Sequence, residues 1–198
     1  SRETVSRHIV TKLGLERELR LLMAEYGASE PWEVLGTMRR AIYDDMVSDP
    51  RVVRDNQWPH TVRLLRLAKE HKCLTALATL SARKEALHFV SALGLEASLD
   101  LILAREDVKQ GKPNPEIYLL AAQKLGVATQ ECIVIEDSSN GVRAAIDAGM
   151  NVVPFATPFT SKSIHASQVL QHDWVVDDPE KLLDIVQKRI AESNRAAP

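Results

Sequence analysis

The chain has 198 residues, 25 lysines and arginines against 27 acids for a net charge of −2, with 45% hydrophobic and 26% charged residues. That composition describes a globular protein with a substantial core, as one domain or as a core with a small satellite. It excludes a general attraction to nucleic acid or to an anionic membrane. The apolar runs at 99–104 and 132–135 are far too short to span a bilayer, and the leading SRETVSRHIV lacks a signal-peptide pattern. The only cysteines, Cys73 and Cys132, suit a reducing compartment, taken here as the cytoplasm, and read as two buried strand thiols.

Residues 1–58 contain no strand pattern. Apolar residues recur at helical spacing over 7–13, 18–26 and 31–46, with breaks at Gly14, Gly27 and Asp49-Pro50. Pro31 follows Ser29 and Glu30 and fits a first helical turn, where its missing N–H costs nothing. Three or four small helices are expected.

From residue 59 helices and strands alternate. A helix over 59–70 precedes the run KCLTALAT (72–79). A helix over 82–93, ended by Gly94, precedes LDLILA (99–104). A helix over 113–125, ended by Gly126, precedes ECIVIED (131–137). A short helix over 141–148, ended by Gly149, precedes MNVVPF (150–155). A looser stretch leads to WVVDD (174–178), a last helix from Pro179 to about Glu192, and a tail, SNRAAP, expected to fray. Apolar strands separated by helices predict an α/β fold: a doubly wound parallel sheet covered on both faces, with ligands bound at the carboxyl ends of its strands.

Three features meet at those ends. The first run stops at Thr79, followed by Leu80 and Ser81. The third stops at Glu136 and Asp137, followed by Ser138, Ser139, Asn140 and Gly141. Gly111-Lys112-Pro113-Asn114-Pro115 lies between them. Thr79 and the N–H groups after it can grip a phosphate oxygen, although alone Thr79 reads as an ordinary helix cap. Lys112 precedes a proline and so sits in extended or turn backbone. It can set an ammonium beside a phosphoryl group, although a lone lysine is usually a solvated one. Glu136 and Asp137 repel each other unless a cation or donors compensate, and hard oxygen ligands of this kind suit Mg²⁺.

VKQGKPNPEIYLLAAQKLGV followed by CIVIEDSSNGVRAAIDAGMNVV closely resembles the third and fourth motifs of haloacid-dehalogenase-like hydrolases, nearest to the branch of β-phosphoglucomutase and small sugar-phosphate phosphatases. TALATLSARKEAL resembles the second motif of that branch. The resemblance implies a Rossmann-like α/β core over 59–198 and a small helical cap over 1–58. It also implies a Mg²⁺-dependent phosphatase of small phosphorylated metabolites, with a phosphomutase or a non-catalytic phosphate- or partner-binding relative as alternatives. Thr79 and Lys112 take the catalytic positions. Thr79, Leu80, Ser81 and Lys112 bind the phosphoryl group, and Glu136 and Asp137 bind Mg²⁺. Stabilisation of this kind dominates phosphoryl transfer.

One motif departs. The family's nucleophile lies in Asp-x-Asp-Gly-Thr/Val after a first apolar strand, and this sequence contains no Asp-x-Asp-Gly. Tyr43-Asp44-Asp45-Met46 keeps helical spacing and reads as a solvated cap helix. In the resembled fold the absent strand lies between those ending at Thr79 and at Asp137. Its loss leaves two edges with unpaired backbone groups, each costing about 1–3 kcal/mol when buried. An N-terminally truncated form of a longer chain is therefore expected, with an upstream in-frame segment carrying the strand and motif, in preference to a naturally folded pseudoenzyme.

Overall fold

The computed structural model describes residues 2–166 and 174–196. The chain divides into two compact units, Ser1–Asn56 and Gln57–Pro198.

The first unit holds four helices: α1 (Arg2–Leu13), α2 (Glu16–Leu22), α3 (Pro31–Ser48) and α4 (Pro50–Asp55). α1 and α2 pack on α3 around buried Val10, Leu19 and Val34, flanked by Trp32, Leu35 and Met38. The α3 start is fixed by Glu33, whose Oε2 accepts the N–H groups of Ser29 (2.7 Å) and Glu30 (3.3 Å). Asp49 caps α4 by accepting Arg51 N–H at 2.8 Å. Asp44 and Asp45 lie exposed within α3.

The second unit runs α5 (Pro59–Glu70), β1 (Ala76–Ala78), α6 (Arg83–Ala92), β2 (Leu101–Leu103), α7 (Glu116–Leu125), β3 (Ile133–Glu136), α8 (Ser139–Asp147), β4 (Asn151–Pro154), α9 (Ser161–His165) and α10 (Leu182–Ala196). β1 pairs in parallel with β2, and β3 in parallel with β4. The side chains alternate as a two-sided sheet requires. Val134 and Val152 face a core built with Ile117, Tyr118, Ala121 and Ala122 of α7 and Val142, Ala144 and Ala145 of α8. Ile133, Ile135 and Val153 face a second core with Leu64 of α5 and Leu182, Ile185 and Val186 of α10. Helices thus cover both faces of a parallel α/β core.

Instead of one continuous sheet, the described residues form two two-stranded sheets, β1–β2 and β3–β4. The strands are shorter than their apolar runs, because pairing on one side only sustains a shorter ladder. WVVDD contributes a single parallel bridge, Val176 to Phe155. Cys73 is exposed, its N–H bonded to Ala68 O at 2.9 Å in the turn that ends α5, so it lies before the strand and not in its core. Cys132 is half-buried. The SNRAAP tail continues α10 through Ala196, and residues 197 and 198 lie outside the described residues, as do 167–173 of the looser segment before WVVDD. Among the described residues no helix is long and apolar enough to cross a membrane.

Candidate active site

The carboxyl ends of β1 and β3 carry the residues singled out from sequence. Thr79 closes β1: its N–H donates to Leu103 O of β2 at 2.9 Å, and its Oγ1 accepts the Ser81 N–H at 3.0 Å. The Ser81 amide is therefore engaged within the turn, while Leu80 N–H has no protein acceptor among the described residues. The turn is held by the segment after β2. Glu106 accepts the Arg83 N–H at 3.0 and 3.1 Å, the Arg83 guanidinium pairs with Asp107, and Arg105 N–H donates to Ser81 O at 3.0 Å. A carboxylate at the first turn of α6 complements the helix dipole.

Lys112 sits in the loop before α7. Asn114 Oδ1 accepts Glu116 N–H at 2.9 Å, and the Glu116 carboxylate accepts the N–H groups of Lys109 (3.0 Å) and Gln110 (2.8 Å). Those bonds fold the loop back on itself, and the Lys109 and Gln110 amides hold the Glu116 pKa below its ordinary value. They also explain why α7 starts at Glu116 and not at Pro113. From this loop Lys112 Nζ donates to Ala78 O at 3.2 Å and to Glu136 Oε1 at 2.6 Å, and it lies 4.8 Å from the centre of the Tyr118 ring.

Every oxygen of Glu136 is engaged by the protein. Oε1 takes Lys112 and the Tyr118 hydroxyl (3.2 Å). Oε2 takes the N–H groups of Asp137 (2.6 Å) and Ser138 (3.0 Å) and the Ser138 hydroxyl (3.3 Å). Burial pushes the Glu136 pKa up, but the Lys112 charge and hydrogen bond, with the Ser138 amide, outweigh it and hold the group below the usual carboxylate range. Asp137 differs. Desolvation by the packed protein behind it, followed by the Glu136 charge, raises its pKa even though its side chain is exposed at the rim. Burial and the neighbouring Glu136 also raise the Tyr118 phenol far above its normal value, so it acts as a neutral donor.

Three contributors were not legible in the sequence. Tyr118 lies among the apolar residues of α7, so the sequence alone carries no sign of what its hydroxyl meets. Ser138 caps α8, its Oγ accepting Gly141 N–H at 3.0 Å. Gly141 leaves room for the acid: a Cβ there would lie 1.7 Å from Glu136 Oε1. The sequence shows Ser138 and Gly141 following the acidic pair, but nothing in it points either of them at Glu136.

A divalent cation fits one position of this arrangement better than the other. The Asp137 pKa is raised by burial first, then by the Glu136 charge and their hydrogen bond, and a cation would offset both the burial of its charge and that repulsion. Glu136 has all its lone pairs committed. Among the described residues no three His, Cys, Asp or Glu side chains converge.

The comparisons identify the family. Residues 12–149 match the family described as haloacid dehalogenase-like hydrolase. A phosphorylated carbohydrates phosphatase of Thermotoga maritima is 40% identical over 46% of this chain and 43% of its own length. A probable pseudouridine-5'-phosphatase of Drosophila melanogaster is 34% identical over 80% of this chain and 71% of its own length. The crystal structure of a putative β-phosphoglucomutase from Thermotoga maritima superposes with a TM-score of 0.61 at 28% identity, over 87% of this chain and 78% of that one. The chain belongs to the haloacid dehalogenase-like hydrolase family. It spans less than half the length of the first curated relatives that it matches.

Proposed function

We propose that this chain forms part of a Mg²⁺-dependent phosphatase acting on small phosphorylated metabolites of the sugar-phosphate type, with the nucleophilic carboxylate contributed by a segment outside these 198 residues. The observation that carries the reading is the placement of Lys112, which bonds the end of β1 at Ala78 O and the end of β3 at Glu136 Oε1, beside Asp137. An ammonium there offsets charge on a phosphoryl group set across the strand ends. Thr79 and the free Leu80 N–H supply donors from β1, with Ser81 completing the turn. Asp137 is the carboxylate offered to Mg²⁺, and Glu136 reaches a cation only by releasing Lys112. Bound Mg²⁺ would neutralise charge on the phosphoryl oxygens and orient them. The helical unit is read as a cap that selects the substrate, and the two unpaired cysteines suit a reducing, cytoplasmic setting.

The absence of Asp-x-Asp-Gly from the sequence favours a second reading, a non-catalytic relative that binds a phosphate or a partner. The two readings separate when the chain carries a grafted N-terminal apolar strand followed by Asp-x-Asp-Gly-Thr. Mg²⁺-dependent phosphate release from hexose phosphates supports the phosphatase. Phosphate binding without turnover supports the binding protein.

A further inference from the structure

Tyr118 touches both members of the Lys112–Glu136 pair. Its hydroxyl donates to Glu136 Oε1 at 3.2 Å, and Lys112 Nζ lies 4.8 Å from the centre of its ring. The phenol is 5% exposed and shares a core with Ile117, Ala121 and Ala122 of α7 and Val142 of α8. Packed interiors keep side chains in fixed rotamers, so the ring is a stationary surface beneath a lysine that has a long, flexible stem. The face of an aromatic ring attracts an ammonium, most strongly where water is excluded. A leucine on the same face of α7 would fill a core position but offer neither a ring face nor a donor.

Among the described residues Lys112 Nζ meets Glu136 Oε1 at 2.6 Å, Ala78 O at 3.2 Å and the Tyr118 ring. These contacts differ in permanence. Glu136 reaches a cation only by releasing Lys112, so the ion pair is the contact that is given up. Ala78 O is one neutral acceptor, and a single hydrogen bond adds little against the rotamer freedom a lysine gains in water. The ring is the remaining contact, and it stands on α7, outside the two strand ends that Lys112 bridges.

We propose that Tyr118 is a positioning residue whose ring keeps the Lys112 ammonium at the strand ends when Glu136 is withdrawn, while its hydroxyl separately orients Glu136. The arrangement stands on the geometry of this core, and its effect on turnover rests on the phosphatase reading. The two parts of the side chain serve two residues, so they can be removed one at a time. Tyr118→Phe takes away the hydroxyl and keeps the ring. Tyr118→Leu takes away both.

The first measurement needs no turnover. In NMR spectra of the 198-residue chain the Lys112 ε-methylene protons should be shifted upfield by the ring current. The shift should persist in Glu136→Gln, where the charged partner is gone, and a move to the solvent position there overturns the proposal. Tyr118→Phe keeps every charge paired and gives a second reading where Glu136→Gln does not fold. Its Lys112 signal should also stay upfield, and loss of the shift overturns the separate role of the ring. The second measurement uses the chain with the grafted strand and Asp-x-Asp-Gly-Thr, each variant checked for folding by circular dichroism. Tyr118→Phe should lower kcat by at most about fivefold, the worth of one neutral hydrogen bond. Tyr118→Leu should lower it about thirtyfold, with KM changed less. Equal losses in the two variants at matched folded fraction would assign Tyr118 to core packing and overturn the proposal. A grafted chain inactive in every form contradicts the phosphatase reading instead, and the Lys112 signal then decides the role of Tyr118 by itself.

Discussion

Lys112 Nζ lies 2.6 Å from Glu136 Oε1, and the two side chains are only 11% and 8% exposed. The same ammonium bonds Ala78 O at 3.2 Å, so this ion pair ties the end of β3 to the end of β1, where the described backbone makes no bond between them. Its members are compensated unequally. Glu136 also has Tyr118, Asp137 N–H and Ser138 as donors, whereas among the described residues Lys112 has only Glu136 as a charged acceptor. Removing either partner strands a buried charge.

Lys112→Ala should therefore destabilise the second unit by about 3 kcal/mol, in addition to any effect on catalysis. Replacing both members, as Lys112→Met with Glu136→Gln, should cost less than the single substitution, because no charge is left uncompensated. Urea unfolding of the parent chain and the two variants measures this. A double variant less stable than Lys112→Ala would contradict it.

Two glycines should respond to alanine with opposite signs. At Gly141 a Cβ would sit 1.7 Å from Glu136 Oε1 and 2.7 Å from its Cγ. The acid must leave its donors, and the cost should be about 1–3 kcal/mol. At Gly36, inside α3, the nearest atom is Ser6 Oγ at 3.9 Å, so alanine should stabilise the helix by about 0.5–1 kcal/mol. Amide exchange in α8 and in α3 reads the two effects separately.

The acid limb of stability should depend on Asp100. Its hydrogen bond with Lys69, and then the Thr75 N–H at 2.8 Å, lower its pKa in the fold. A carboxylate depressed in the native state adds stability above its unfolded pKa and loses it as pH falls through the lower, folded value. Denaturation midpoints should fall from about pH 4 downward in the parent chain, and that slope should flatten in Asp100→Asn. An unchanged slope would remove Asp100 from the account.

Purified as it stands, the 198-residue chain should release no phosphate from simple esters above background. The two acids at the rim are already committed in this account, Glu136 to Lys112 and Asp137 to the cation. Turnover that disappears in Asp137→Asn would show that the nucleophile lies within these residues.

Much of the second unit was legible because period and punctuation agreed. Gly94, Gly126 and Gly149 end helices where they were read, and the strand ends carry Thr79 and Asp137 as expected. The lengths of the strands were not legible. An apolar run such as KCLTALAT marks a candidate strand, but Cys73, Leu74 and Ala76 are exposed in the fold, and pairing depends on a neighbour across the sheet, which β1 has on a single side. The same reason reduces WVVDD to one bridge. At the site, sequence placed Glu136 and Asp137 together as metal ligands, but the environments that separate them come from Tyr118, Ser138 and Lys112, which reach Glu136 from elsewhere in the chain. Tyr118 was hidden because a phenol on an apolar helix face differs from a core aromatic only in what its hydroxyl meets.

The most direct test is a Mg²⁺ titration of turnover by the chain carrying the grafted strand and Asp-x-Asp-Gly-Thr, compared with its Asp137→Asn and Lys112→Ala variants, each checked for folding by circular dichroism. Asp137→Asn should raise the Mg²⁺ needed for half activity and abolish turnover at low Mg²⁺. Lys112→Ala should lower the rate by about 10²–10³ and leave the Mg²⁺ requirement nearly unchanged. Wild-type activity and Mg²⁺ dependence in Asp137→Asn would contradict the assignment of this rim as a metal-dependent phosphoryl-transfer site.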